Sequence, residues 1–456
     1  MISQTPIAYH MFNNKKPNII LLADYTDVIG FKKSLGVYKV AHVLRLHGFE
    51  VAVIHHLSTF TITEIMYLLE NLISEETLFV GISNFYYADI STVEKKSDGS
   101  AVLNNGSPGM VLPHGAHYNT MVKTLIKNKN SNCQLIVGGS WAFDSEVNRV
   151  FDYVVLGYSE MSVVNLAKHL LDKSVPLIKN YKSIHGPIII DDSRAEGYDF
   201  SNSNMEYLDH DVILPNETLL LEVARGCIFK CGFCSYPMNG KKKMDFIRHP
   251  DLIKQELLDN YNKFGVTRYV FCDDTVNDSP EKCKMIYEIS KSLPFKLEWW
   301  GYIRLDLLVA HPETVEYLFE SGLTATHFGI ETLNPKSAAA IGKGGNKEKM
   351  FETVQRIKDK YGNKVSLHAS FIYGLPYESV ESMRKTQEFL LSDKNPLDSW
   401  EVFPMQIKPS QNKLTNDFLS DIDKNYHKYG YRELGRGTSD NDSGTPSRHV
   451  AINLIW

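Results

Sequence analysis

The chain runs to 456 residues, 43% hydrophobic and 23% charged, with a formal net charge of −5. At roughly 100–200 residues per domain, that length divides into two or three domains. The mild acidity argues against a global basic field for sequence-blind nucleic-acid binding, so no DNA partner is expected.

No run of about 18 uninterrupted apolar residues appears, which predicts no membrane span. Residues 1–16 lack the apolar core of a secretory signal. Six cysteines are too few for a disulfide scaffold in so long a chain, and three of them crowd into eight positions. That pattern points to metal or redox chemistry in a reducing cytoplasm.

Residues 18–23 form an apolar run that reads as a buried strand. Helical spacing over 37–46 predicts a helix ended by His47-Gly48, followed by a strand at 51–54, a helix around 62–73 and a strand at 78–83. The polar, glycine-dotted stretch 89–115 reads as an irregular loop, long enough to be functional or mobile. Beyond it come a helix at 118–127, a strand at 134–137 closed by Gly138-Gly139, a strand at 153–156 and a helix at 161–171. This alternation predicts a doubly wound, Rossmann-like parallel-sheet domain over residues 1–175.

Residues 176–215 lack periodicity and read as a linker. A second series of strand–helix units covers 216–410. Its strands fall at 219–223, 268–271, 297–303, 326–330, 367–373 and 401–407. Helices lie between them near 252–264, 281–291, 312–321, 347–361 and 379–391. Six strands with helical crossovers predict a partial (β/α)6 barrel of the TIM type, short of the eight units that close a full one. Residues 411–456 form a C-terminal extension, loop-like over 435–446 and apolar enough at 450–456 to dock back onto the molecule.

Cys227, Cys231 and Cys234 follow the first strand of the second series. Three thiolates at this spacing can hold one face of a cubic iron–sulfur cluster, and no further cysteine lies nearby in sequence to fill the fourth iron. An open metal position marks a site that binds substrate or cofactor. Zinc with a distant fourth ligand, or a chance grouping of core thiols, are the plainer readings. The spacing is unlike the paired short knuckles of zinc folds. Cys133, Cys272 and Cys283 read as buried thiols, Cys272 being nearest the predicted site.

The Cys-x3-Cys-x-aromatic-Cys loop, with Phe233 at the aromatic position, resembles the signature of the radical S-adenosylmethionine superfamily. The resemblance implies a [4Fe–4S] cluster on the three cysteines and S-adenosylmethionine on the open iron. It also implies reductive cleavage to methionine and a 5′-deoxyadenosyl radical, fed by an electron donor such as flavodoxin or ferredoxin. Asp273 and Asp274 end the second strand and look like the family segment beside the methionine amino group. Arg304, within the segment 301–306, resembles the arginine–aspartate pair of cobalamin-type members. Glu331 looks like the acid near ribose and carboxylate, and Gly374 and Pro376 are similar to the segment that packs on adenine.

Each of these alone reads equally as a helix cap or a surface pair. Their order, one per strand after the cysteine loop, carries the resemblance over residues 219–408. The stretch 341–347 has the wrong spacing for a phosphate-binding loop. Lys241, Lys242 and Lys243 read as a solvated loop, with an anionic substrate as the alternative.

The first domain resembles the cobalamin-binding-like domain that precedes the barrel in one branch of that superfamily. Ser34-Leu35-Gly36, Gly48-Phe49-Glu50-Val51, Gly138-Gly139 and the run 155–160 carry the match. Ligands in such a fold sit at the carboxyl ends of strands, which implies contacts at Ser83, Gly138 and Gly139. Asp27 stands where cobalt-ligating members have histidine, so the resemblance implies either cobalamin held without a histidine or a domain that has lost it. His55, His56, His114 and His117 read as ordinary loop residues.

The leading expectation is a radical S-adenosylmethionine enzyme performing cobalamin-assisted methyl transfer to an unactivated position. The alternatives are a cobalamin-independent radical rearrangement or bond formation, and an electron-relay or zinc-binding protein without catalysis. Methylthiolation lacks the N-terminal trio of cysteines for a second cluster. No substrate is legible.

Overall fold

Strands that are apolar along most of their length must be covered on both faces, and the first half of the chain supplies five of them. The computed structural model describes residues 16–431 apart from 25, 28–29, 58–59, 84–92, 96–100, 104–114, 140–141, 143–149, 184–185, 193–196, 215, 237, 406 and 408–418. Two compact units divide the chain: Met1–Leu220 with Gln255–Arg268, and Leu221–Lys254 with Tyr269–Trp456.

The first unit holds β1 (Ile19–Leu22), β2 (Val51–Ile54), β3 (Phe79–Ser83), β4 (Gln134–Gly138), β5 (Tyr153–Gly157), β6 (Asn180–Lys182) and β7 (Ile188–Asp192). They lie in the order β2-β1-β3-β4-β5-β7-β6, parallel throughout except for β6 against β7. Helices α1 (Leu35–Leu46), α2 (Ile62–Leu72), α3 (Gly115–Lys129) and α4 (Glu160–Leu171) alternate with the strands. The 2-1-3-4-5 order is the doubly wound arrangement whose chain direction switches between β1 and β3. All four residues of β1 and of β2 are buried, as coverage on both faces requires.

Two expectations need correction. Part of the stretch read as a linker, residues 176–215, extends this sheet through β6 and β7. Ile189 and Ile190 are fully buried there, in a five-residue strand whose three isoleucines are too short a run to announce themselves by period. The supposed loop 89–115 contains an antiparallel pair, Val93–Lys95 with Ala101–Leu103, and its last residue opens α3. Residues 435–456 and His114 lie outside the described residues, as do the side chains of Asp27 and His117.

The second sheet runs in sequence order: β8 (Leu219–Leu221), β9 (Arg268–Phe271), β10 (Glu298–Ile303), β11 (Leu323–Glu331), β12 (Ser366–Tyr373) and β13 (Ser399–Pro404). β10 to β13 pair in parallel. This is the partial (β/α)6 barrel, with β13 placed a few residues earlier than the sequence indicates. Its helices are α5 (Pro250–Phe264), α6 (Pro280–Lys291), α7 (Leu305–Ala310), α8 (Glu313–Glu320), α9 (Pro335–Ala340), α10 (Lys347–Tyr361) and α11 (Val380–Leu390), with α12 (Asp421–Asn425) in the C-terminal extension. The sequence reading misses α7, α9 and α12, each of six residues or fewer and so without a full hydrophobic period.

Along the strands one face is buried, with Trp299, Ile303, Phe328, Ile330, Leu367, Ala369 and Phe371. The alternating residues Trp300, His327, His368 and Ser370 stay half-exposed. Crossover helices start sharply after the strand-end loops. Ser279, Asn346 and Ser379 each accept a backbone N–H of the first helical turn, while Asn334 and Pro335 open α9.

Candidate active site

The cysteine loop leaves β8 through Gly226, whose φ is +71° and where an added Cβ would lie 2.6 Å from the Met238 carbonyl oxygen. Only glycine tolerates both conditions. The Cys227 carbonyl then accepts the N–H groups of Gly240 at 2.7 Å and Lys241 at 3.2 Å, folding the loop back on itself. Gly232 is fastened on both sides: its N–H donates to Ile341 and its carbonyl accepts from Ile422 of α12. Phe233 packs against an apolar cluster that includes Ile341, Leu375, Met405 and Ile422.

Each sulfur has a polar neighbour. Thr275 Oγ1 stands 3.3 Å from Cys227 Sγ, the Arg304 guanidinium donates to Cys231 Sγ at 3.5 Å, and Asn239 Nδ2 donates to Cys234 Sγ at 3.2 Å. Burial pushes the Cys231 thiol up against the pull of Lys343 and Arg304, and burial pushes Cys234 up to about 11. A pocket that penalises free thiolates yet aims N–H donors at two of the sulfurs suits sulfur bound to a cationic centre. Cys272 turns its sulfur back to the Val270 carbonyl of its own strand, and Cys283 is buried on α6.

The acids after β9 divide. Asp273 is buried; it accepts the N–H groups of Val223 and Ala224 at 2.9 and 3.0 Å, and Lys282 Nζ at 3.2 Å. Its carboxylate therefore anchors the exit of β8 into the cysteine loop. The neighbouring Asp274 carboxyl is pushed up to about 7 by burial, with Asp273 and Glu222 adding repulsion.

Arg304 is locked by its own neighbours. Asn277 brackets its backbone N–H and C=O, Asp306 accepts from Nε at 3.0 Å, and the guanidinium lies 3.8 Å over the Phe229 ring. Glu331 sits at φ +69°, a left-handed conformation forced where the β11 ladder bulges between Gly329 and Glu331. Its carboxylate is 3.4 Å from Lys343 Nζ, which also donates to the Gly329 carbonyl. A side chain at 329 would put its Cβ 2.7 Å from Glu331 Oε1. Gly374, at φ +86°, donates to Glu378 Oε2 at 3.0 Å, and Glu378 also accepts from Thr332. Pro376 is buried two residues on.

Lys343, Asn239, Phe229, Lys282 and Glu378 escape the sequence reading. Only Lys282 carries a local signal, an acid–base pair with Asp278 four residues before it. The three-lysine stretch is also more structured than expected: Lys243 is half-exposed on Glu281, but the Lys241 side chain is 2% exposed and 3.9 Å from Asp278.

Residues 221–390 match the family model described as the radical SAM superfamily, bracketing the cysteine loop and the strand ends through β12. Those residues thus carry the match to a radical S-adenosylmethionine domain. Among curated proteins, this chain is 25% identical over 336 residues to an uncharacterized methyltransferase of Pyrococcus horikoshii, covering 66% of each. It is 26% identical over 172 residues to the bacteriochlorophyllide d C-12(1)-methyltransferase of Chlorobaculum tepidum, covering 37% of this chain and 36% of that protein. The matches thus span a third to two thirds of these relatives' lengths.

Its fold resembles that of the methyltransferase TsrM from Kitasatospora setae, solved with cobalamin and a [4Fe-4S] cluster. The TM-score is 0.66 at 13% identity, over 95% of this chain and 84% of that one. The cobalamin-dependent enzyme OxsB gives 0.58 at 16% identity, over 91% and 56%. These likenesses show the fold, a Rossmann-like domain followed in the chain by a partial (β/α)6 barrel.

In the Rossmann-like unit, Ser83 and Gly138 are register partners at the carboxyl ends of β3 and β4, and Gly139 follows at φ +102°. His55 and His56, after β2, are not ordinary loop residues. His55 Nε2 accepts the Ser34 N–H at 2.9 Å, and His56 Nε2 lies 3.1 Å from Glu217 Oε1, which Lys33 also approaches at 3.5 Å. No helix among the described residues is long and apolar enough to cross a membrane.

Proposed function

We propose that this chain is a cobalamin-dependent radical S-adenosylmethionine methyltransferase, holding a [4Fe–4S] cluster on Cys227, Cys231 and Cys234. The observation that carries the reading is the cysteine loop: three thiols on one βα loop, two of them met by N–H donors, with no fourth cysteine beside them among the described residues. That donor set fits a cubane with one iron left for a ligand. When bound, the cluster supplies the electron for reductive cleavage of S-adenosylmethionine.

The chain's own residues bind and orient. Asp274 and Glu331 offer carboxylates to an ammonium group, Arg304 and Lys343 balance thiolate charge, and Gly374 and Pro376 offer backbone and an apolar surface to adenine. Asp273 acts through the backbone it holds. In the first unit, Ser83, Gly138 and Gly139 would meet a corrin, whose methyl-carrying role is in keeping with the methyltransferase relatives.

The test is anaerobic reconstitution with iron and sulfide, then incubation with reductant, cobalamin and methyl-labelled S-adenosylmethionine. Formation of 5′-deoxyadenosine or S-adenosylhomocysteine, lost in Cys231→Ala, is the expected result. Protein that takes up zinc rather than iron on these thiols, or that yields neither product, would overturn the reading.

A further inference from the structure

The half-exposed face of the barrel sheet carries a row of side chains that could ligate a metal. His327 on β11 and His368 on β12 are register partners. Glu401 on the adjoining β13 reaches both: its Oε1 lies 3.5 Å from His327 Nε2 and 3.7 Å from His368 Nε2. The three ligand atoms all lie within 4.8 Å of one another. Around a tetrahedral zinc with bonds of about 2.0–2.1 Å, neighbouring donor atoms sit ~3.3 Å apart; both imidazole–carboxylate separations are within a few tenths of an ångström of that, and a rotation of the imidazoles would draw in the remaining pair.

The surroundings fix which ring atoms are presented. Ser399 Oγ is 2.8 Å from His368 Nδ1, which leaves Nε2 directed at Glu401. Such an outer hydrogen bond is what holds a ligating imidazole in tautomer and orientation. Tyr302, the register partner of His327 on β10, walls the other side with its ring 4.9 Å away.

We propose that His327, His368 and Glu401 form a second metal site, separate from the three cysteines, that binds one divalent transition ion, zinc by preference. Two imidazoles and one carboxylate are a donor set for a zinc that keeps a position open. The open position faces the exposed side of the sheet, where it would take water or an anionic group of a substrate. The site rests on strand geometry alone, so it stands whether or not the cluster reading holds.

Full-length, cluster-loaded protein is dialysed anaerobically against buffered zinc, and zinc and iron are counted per chain. We expect about one zinc beyond the cluster iron. His368→Ala and Glu401→Gln should lose it with iron unchanged, and Ser399→Ala should weaken it by roughly 10–100-fold. Zinc that is absent, or that survives both ligand substitutions, overturns the proposal. If a variant also sheds iron, zinc X-ray absorption on the native protein decides: a nitrogen and oxygen shell with imidazole scattering supports the site, and sulfur in the shell overturns it.

Discussion

Lys282 has no exposed side-chain surface; its ammonium meets Asp278 at 3.0 Å, Asp273 at 3.2 Å and the Thr275 carbonyl at 2.8 Å. Removing one partner of such a group leaves buried charge uncompensated, which costs about 3–5 kcal/mol. Lys282→Met should lower the unfolding free energy by that amount in denaturant titration. Because Asp273 holds Val223 and Ala224, it should also reduce iron retention. His55 is a second buried titratable group, its pKa held well below the ordinary value by burial first, then by His56 and Lys33. The unfolded chain therefore takes up the proton first, so its contribution to stability is intact above about pH 6.5 and is lost as pH falls below it. His55→Gln keeps an acceptor for the Ser34 N–H without titrating. Below pH 6.5 its stability should fall less steeply than that of the wild type, by up to about 1.36 kcal/mol per pH unit, the slope for one proton.

At the scale of the element, the cysteine loop depends on backbone that only a few residues tolerate. Gly226→Ala combines a left-handed φ with a Cβ 2.6 Å from the Met238 oxygen, and neither is relieved by a side-chain rotation. A loss of roughly 1–3 kcal/mol is expected for one such strained residue. Iron bound per chain after reconstitution should fall with it, whereas Gly36→Ala, with nothing within 4 Å, should leave iron unchanged. The strands around this loop were largely legible, because β10 and β12 are long enough to display alternation and β9 ends in a short apolar run. The short helices α7 and α9 and the bulge at Glu331 were not. A six-residue helix has too few turns to show a period, and a bulge adds one residue without changing composition.

For the whole molecule, the two units have separate cores and separate proposed ligands, so their losses should be separable. Gly138 has ordinary room for a Cβ, 3.6 Å from the Val155 carbonyl oxygen, and Gly138→Val should fold. It should nonetheless retain less cobalamin through gel filtration, read by visible absorption, while iron content stays at the wild-type value. The amino-acid sequence alone determined the order of units, the doubly wound and partial-barrel classes and the three cysteines. All of these are local: a period, a spacing, a turn within some ten residues. Only the tertiary structure decided that Asp273 faces inward to Lys282, that Lys343 reaches Glu331, that residues 180–192 join the first sheet and that His327, His368 and Glu401 converge. Each of those pairings is set by strand register or by the packing of segments distant in sequence, and register leaves no trace in a single strand's composition.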